Sequence, residues 1–194
     1  ILLFLFASWG LLGSMPSFEK LENPDSNIAT EIISSDGEVI GKFYAENRVP
    51  VKFQDLPPHL VNALVATEDE RFYEHSGIDG RGTIRAVVKL GTDGGASTIT
   101  QQLAKLLFHG EGSKNIVMRI LQKVKEWVIA VRLERQYTKQ EILAMYLNEV
   151  DFLYNAVGIR SAAKIYFNKE PKNLTVEESA VLVGMLKNPS LYNP

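Results

Sequence analysis

The chain has 194 residues, which is enough for one sizeable hydrophobic core and too few for two. Hydrophobic residues make up 45% of it and charged residues 23%, a composition that is typical of a folded domain and excludes wholesale disorder. The formal net charge of −2 argues against a general nucleic-acid binder, and the absence of cysteine excludes disulfides, thiolate metal sites and cysteine nucleophiles.

The chain starts with an apolar run, ILLFLFASWGLL, and no charged residue precedes Glu19. The run is shorter than the roughly 20 apolar residues that span a bilayer. It has no polar face, so we predict that residues 1–15 are the C-terminal part of a longer transmembrane helix, in contact with membrane lipid. A buried amphipathic helix is the alternative. Residues 16–28 are rich in turn formers and are predicted to be a linker.

One β-hairpin is predicted between residues 30 and 44. Asp36 and Gly37 stand between two short runs that contain Ile and Val, which is a strong signal for a two-residue hairpin turn. No other convincing pair of strands follows in the sequence.

From Pro57 onward the sequence is helical in character. Three segments open with the Ser/Thr-x-x-Glu/Gln pattern of a capping box, starting at Thr98, Thr138 and Thr175. The predicted architecture is therefore mainly α with one small hairpin. The predicted helices cover residues 57–73, 83–90, 98–108, 114–136, 142–147 and 175–186.

Glu68 is the first candidate for chemistry. In a helix it shares a face with Leu60, Val61 and Leu64, so a carboxylate interrupts an apolar stripe. Partial desolvation would suit such a group to proton transfer near neutral pH. The alternative is a helix-end carboxylate that points away from the core edge, and the pattern alone does not decide between them.

A second candidate is Glu126, in a segment with an excess of positive charge. Residues 105–139 contain eight basic and three acidic residues. Arg119, Lys123 and Glu126 fall on one narrow helical stripe, and two cations one turn apart would suit phosphate oxygens. The alternative, more common for such a stripe, is a surface ion pair between Lys123 and Glu126.

Neutral polar side chains follow a glycine pair in residues 94–102. Hydroxyls and amides suit sugar recognition, although capping explains Thr98 and Gln101 equally well, and Gln102 stays undecided. Glu68 and Asp69 together are a weak candidate for one Mg²⁺-like ion held through oxygen ligands.

Taken in order, these segments resemble the peptidoglycan glycosyltransferase domain (glycosyltransferase family 51) of class A penicillin-binding proteins. The first motif is EDERFYEHSG at residues 68–77, and the second is GASTITQQLAK at residues 95–105. The third motif spans residues 123–134, and the fourth and fifth fall within residues 146–148 and 158–167. Five motifs in the family's order are far more specific than any one of them.

The resemblance implies a lysozyme-like, mainly α fold over residues 29–194. The implied reaction joins lipid II units into β-1,4-linked glycan strands and releases undecaprenyl pyrophosphate, with Glu68 as the base on the acceptor hydroxyl and Glu126 as the second acid on the donor side. It further implies a divalent cation (Mg²⁺ or Mn²⁺) that assists departure of the pyrophosphate, and the pair Glu68 and Asp69 described above is the candidate for its ligands. The substrate-binding residues it implies are Asp69, Phe72, His75, Ser97, Thr98, Gln101, Gln102, Lys105, Arg119 and Lys123.

The resemblance also implies a place in the cell. A single-pass anchor would hold the catalytic domain on the extracytoplasmic face of the cytoplasmic membrane. The growing glycan strand and lipid II would be its partners, nucleic acid would not, and a transpeptidase domain would follow the glycosyltransferase domain in a bifunctional parent.

Three positions depart from the family pattern. Leu106 stands where Asn is usual, Gln122 where Arg is usual, and Leu153 where Gly is common. Two rival functions stay open: a lysozyme-like enzyme that cleaves glycan strands, and a membrane-tethered glycan-binding domain without catalysis. The carboxylate pair argues against the second rival.

Overall fold

A computed structural model of the chain describes residues 30–36, 39–43, 50–88, 97–108, 115–192 and 194. The predicted anchor and linker lie outside the described residues. None of the described helices combines the length and the apolar character that a bilayer crossing requires. The described part of the chain is mainly helical, as predicted.

Two short strands pair in antiparallel orientation, β1 (Thr30–Ile33) and β2 (Val39–Phe43). The register runs from Thr30 opposite Phe43 to Ile33 opposite Val39, with a shift between Ile32 and Ile33. Residues 37–38, which include half of the predicted two-residue turn, lie outside the described residues. The hairpin turn therefore stays a prediction.

Eight α-helices follow in the described residues. They are α1 (Pro58–Glu68), α2 (Gly80–Val88), α3 (Ile99–Phe108), α4 (Ile116–Gln136), α5 (Lys139–Glu149), α6 (Ile159–Phe167), α7 (Val176–Lys187) and α8 (Pro189–Tyr192). Two 3₁₀ helices, Phe53–Asp55 and Pro171–Asn173, lie before α1 and before α7. α3 packs against both α4 and α5, and α1 packs against α7.

The core lies among these helices. Its largest fully buried side chains come from α1, α3, α4, α5, α6, α7 and two loops. Side chains of α3 bond to both neighbours: Thr100 donates to Glu134 on α4, and Gln102 accepts from Tyr146 on α5. The fully buried set comprises Leu60, Leu64, Phe72, Ile99, Leu103, Leu133, Ile142, Leu143, Leu147, Phe152, Ile159 and Leu182.

Two of the three predicted capping boxes are confirmed in full. Thr138 and Glu141 exchange reciprocal bonds at the start of α5, and Thr175 and Glu178 do so at the start of α7. The third is confirmed only in half. The Thr98 hydroxyl accepts a bond from the Gln101 backbone N–H at 3.1 Å, but the Gln101 amide donates to the Gly77 carbonyl oxygen instead of returning to Thr98.

The predicted helix over residues 57–73 is wrong at its C-terminal end, because α1 stops at Glu68. Asp69 leaves the helical conformation, with φ −159° and ψ 72°, and its carboxylate accepts the backbone N–H of Ile99 at 3.0 Å. The free amide at the start of α3 thus gains a buried anionic partner. Helix α6 was not predicted; its first residue is Ile159, and the N-cap Gly158, whose φ is 79°, provides no side-chain cap.

Three consecutive residues, Leu153, Tyr154 and Asn155, have left-handed backbone conformations, with φ of 66°, 50° and 61°. This conformation strains a residue that carries a branched side chain and favours glycine. It explains why the family pattern has glycine where this chain has Leu153.

Candidate active site

A cleft of about 960 Å³ opens between the ends of α1 and α5 on one side and α2, α3 and α4 on the others. Ten of the twelve predicted site residues line it, and all are described residues. The two exceptions, Phe72 and His75, lie behind its wall. The ten are Glu68, Asp69, Ser97, Thr98, Gln101, Gln102, Lys105, Arg119, Lys123 and Glu126.

Glu68 is the last residue of α1, and a hydrogen bond from a side chain of α3 fixes its carboxylate. The Gln102 side-chain amide donates to Glu68 Oε2 at 2.8 Å, and the Tyr146 hydroxyl donates to Gln102 Oε1 at 3.0 Å. Burial, together with the negative charge of Glu68, raises the pKa of Tyr146, so its hydroxyl keeps its proton. Glu68 is half-buried and stays accessible from the cleft.

Glu126 faces the same cleft from α4 and is only 7% exposed. Lys123 Nζ donates to Glu126 Oε2 at 2.9 Å and to Ser97 Oγ at 2.7 Å. The intrahelical pair that the spacing allowed is therefore formed, but its acidic member is buried rather than on a solvated face. A buried carboxylate with one cation partner is a costly arrangement, which is typical of functional sites.

Three cations stand along this part of the cleft. Lys105 on α3 and Arg119 on α4 are exposed, and Lys123 keeps 40% of its side chain exposed. Lys123 is paired with Glu126, while the other two stand on the cleft wall. Such a group of point charges and a guanidinium fork suits an anion with several phosphate oxygens.

The carboxylate of Asp69 has a structural role, because its hydrogen-bond partners are other residues of the fold. Both of its oxygens accept from His75 Nε2, at 3.0 and 3.1 Å, and Oδ2 also accepts the Ile99 backbone N–H. It is 7% exposed. Its carboxylate therefore ties the loop after α1 to the first turn of α3, which places Glu68 next to Gln102.

Phe72 has no exposed surface and lies in the core, so its predicted role in substrate binding stays a prediction. Lys139 Nζ stands 4.2 Å from the centre of its ring. The same ammonium donates to Glu134 Oε1 at 2.8 Å and to the His75 carbonyl oxygen at 2.7 Å. The His75 side chain is likewise buried, 8% exposed and turned toward Asp69. Both residues support the cleft wall from behind.

The side chains of Thr98 and Gln101 are also buried. Both donate to the Gly77 carbonyl oxygen, at 2.8 and 3.2 Å, and they are 2% and 1% exposed. Gly77 in turn lies against the backbone of Ala130, where a Cβ would approach the Ala130 carbonyl to 2.8 Å. Their line of contacts fixes α3 to α4 beneath the cleft, so the capping interpretation explains more of their role than sugar binding does.

Several cleft residues were not predicted as site residues. Arg71 and Asp79 form an ion pair in the wall, and Arg85, Asp151 and Lys187 also line it. Burial alone would raise the pKa of Asp79, but the hydrogen bonds from Arg71 and from the Gly82 backbone outweigh burial and hold that pKa below its usual range. Nothing in the one-dimensional pattern separates these charges from a solvated surface.

The predicted metal pair fits the structure poorly. Asp69 lines the cleft, but both of its oxygens already accept hydrogen bonds from His75, and Oδ2 also accepts from the Ile99 backbone N–H. Within the described ranges, no group of three or more His, Cys, Asp or Glu side chains is arranged to hold a metal ion. We therefore assign no catalytic step to an ion held by Glu68 and Asp69.

Comparison with known proteins agrees with this cleft. Residues 36–194 match the transglycosylase family, and the chain belongs to that family. Penicillin-binding protein 1F of Bacillus subtilis is 44% identical over 170 residues, which are 86% of this chain and 23% of that protein. Penicillin-binding protein 1A of Escherichia coli is 41% identical over 184 residues, which are 93% of this chain and 21% of that protein. The chain spans less than a quarter of the length of these curated relatives.

Proposed function

We propose that the chain is a peptidoglycan glycosyltransferase domain that polymerises lipid II into glycan strands for the bacterial cell wall. The observation that carries the proposal is one cleft holding two carboxylates, Glu68 and Glu126, with the cations Lys105, Arg119 and Lys123 beside the second. A cleaving enzyme needs no such cluster of cations, because its glycan substrate carries no pyrophosphate.

Glu68 acts on the acceptor in this proposal. As the acceptor's 4-hydroxyl oxygen attacks the anomeric carbon of the donor, its proton passes to the Glu68 carboxylate. The Gln102 amide donates to Glu68 Oε2 at 2.8 Å and orients the carboxylate. The new glycosidic bond forms as the bond between the anomeric carbon and the pyrophosphate oxygen breaks.

Glu126 and the cations act on the donor. Pyrophosphate leaves with its bonding electrons, and Lys105, Arg119 and Lys123 neutralise the charge that develops on it. Glu126 is the second acid on the donor side, and its carboxylate also accepts a hydrogen bond from Lys123 at 2.9 Å. Attack and departure on opposite faces of the sugar give inversion, as in inverting glycosidases.

The wider setting of the domain belongs to the same proposal. The proposal includes a lysozyme-like fold, a single-pass anchor in residues 1–15, an extracytoplasmic location and a C-terminal transpeptidase domain in the parent. The membership of the transglycosylase family and the similarity to penicillin-binding proteins support it. A divalent cation stays a prediction, and activity measured with Mg²⁺, with Mn²⁺ and with a chelator tests it.

The nature of the reaction is tested with two substrates. Purified protein is given labelled lipid II with a divalent cation or, separately, preformed uncrosslinked glycan strands. We expect long strands from lipid II and no shortening of the preformed strands. Shortening would identify a cleaving enzyme, and lipid II binding without turnover would identify a binding domain; either result contradicts the proposal.

A further inference from the structure

Glu68, Gln102 and Tyr146 form a hydrogen-bonded chain across three helices. Tyr146 on α5 donates to Gln102 Oε1 on α3 at 3.0 Å, and Gln102 Nε2 donates to Glu68 Oε2 at 2.8 Å. We propose that Tyr146 is a positioning residue, whose hydroxyl fixes the Gln102 amide so that its NH₂ group and not its carbonyl faces Glu68. The inference rests on the proposed role of Glu68 as the base.

A glutamine amide has two ends of similar size and opposite polarity, so neighbours decide which end faces which way. With NH₂ toward Glu68, the amide stabilises the carboxylate that must take a proton. With the carbonyl toward Glu68, the two oxygens repel each other unless Glu68 is already protonated. Only the first orientation leaves Glu68 ready to act as a base.

Tyr146 is suited to make this choice because its hydroxyl is a reliable donor. The side chain is 2% exposed, and burial and the Glu68 charge both raise the pKa of the phenol, which keeps it protonated. When the Tyr146 hydroxyl donates to Gln102, the end of the amide that faces Tyr146 is the carbonyl oxygen, which leaves the NH₂ group facing Glu68. The phenol acts on Glu68 through Gln102, because its hydroxyl bonds Gln102 and not Glu68 itself.

The test is a double-mutant cycle on lipid II polymerisation. Tyr146→Phe keeps the ring in the core and removes the hydroxyl, and Gln102→Leu removes the amide that would transmit its effect. We expect Tyr146→Phe to lower kcat about 10-fold with KM for lipid II within about twofold, as for a group that supports proton transfer. In the Gln102→Leu background the same substitution should change kcat by less than about twofold.

Tyr166→Phe is the matched control. Its hydroxyl donates to the Phe152 carbonyl oxygen at 2.6 Å, outside the cleft, so its loss removes a tyrosine hydrogen bond of the same kind. We expect unchanged kcat and KM. Unchanged kcat in Tyr146→Phe, or an equal loss of kcat with and without Gln102, would overturn the inference.

A second readout separates this inference from the proposed function. In ¹⁵N-labelled protein, the Gln102 side-chain amide signals are assigned by their loss in Gln102→Leu. We expect them to shift in Tyr146→Phe and in Glu68→Gln, and to stay in place in Tyr166→Phe. If the wild type makes no polymer the proposed function fails, while these signals still decide on the amide. If polymer forms but Tyr146→Phe leaves the signals in place, the inference alone fails.

Discussion

Glu68 and Glu126 reach the same cleft from different kinds of sequence context. Glu68 interrupts an apolar stripe, and this was visible because α1 continues to that residue. Glu126 looked like one half of a surface pair, and the pair exists, but Glu126 is only 7% exposed, on a helix that packs against α3. Helical spacing fixes which residues share a face, and only packing decides whether that face is solvated.

The charge on Lys123 should matter for binding the donor. Lys123→Ala removes the ammonium that contacts Ser97 and Glu126 on the cleft wall. We expect the affinity for a pyrophosphate-linked donor to fall about 10-fold, since a charge-assisted contact contributes about 1.5 kcal/mol. Binding of a labelled, non-reactive lipid-pyrophosphate analogue measures this.

Lys125→Ala is the matched control, because Lys125 lies on the same helix and does not line the cleft. Equal donor affinity in Lys123→Ala and Lys125→Ala would refute the assigned role. Circular dichroism of both variants checks that α4 is retained.

The segment after α1 shows what helical periodicity misses. Phe72 and His75 would continue the face of α1 if the helix persisted. The helix ends at Glu68, however, and both side chains are buried. The turn depends on Asp69 accepting the N–H of Ile99, a contact between residues 30 apart in sequence. No local pattern contains that contact, so the helix end and the burial of Phe72 were not predictable locally. Helix α6 was missed because Gly158 offers no side-chain cap to mark its start.

The contact between Gly77, in the segment after α1, and Ala130 on α4 gives a prediction about the free energy of unfolding. Gly77 has φ 89°, and an added Cβ would stand 2.8 Å from the Ala130 backbone. We expect Gly77→Ala to lower the free energy of unfolding by about 3 kcal/mol, from backbone strain together with the clash. Denaturant unfolding measures the change.

Gly80→Ala is the control for Gly77→Ala. A Cβ at Gly80 meets nothing within 4 Å, and the residue starts α2. We expect a stability within about 1 kcal/mol of the wild type. Similar losses in both variants would mean that the contact between Gly77 and Ala130 does not fix the segment to α4.

Over the whole molecule, the hydrogen-bonded carboxylates should make the fold sensitive to acid. Hydrogen bonds from the backbone and hydroxyl of Thr138 lower the pKa of Glu141, and those from Lys169 and the Thr175 backbone lower the pKa of Glu178. A pKa that is lower in the folded state gives stability that is present above the unfolded value, about pH 4 for Glu, and is lost as the pH falls through the folded value.

The test compares the wild type with Glu141→Gln/Glu178→Gln. We expect the variant to be less stable at about pH 7 and the two proteins to converge as the pH falls through the folded-state pKa values, where the wild-type carboxyls take up protons. Urea unfolding at intermediate pH values traces the convergence. A stability difference that stays constant over this range would contradict the assignment.

The helical class, most helix positions and the two complete capping boxes follow from the sequence because they depend on local bonds and on apolar periodicity. The cleft does not, because its walls come from helices that are distant in sequence, with Tyr146 and Gln102 meeting 44 residues apart. The ordered motifs nevertheless identified ten residues of the cleft. A family resemblance can do this because members of a family share a fold, which places the same motifs around the same site.

The most direct test of the account replaces each cleft carboxylate with its amide. Glu68→Gln and Glu126→Gln are each given labelled lipid II, and polymer formation is measured together with binding of the donor analogue. We predict that Glu68→Gln forms no polymer and binds the donor as the wild type does, because only the proton acceptor is lost. Glu126→Gln should also form no polymer. Polymer made by Glu68→Gln at the wild-type rate would contradict the account.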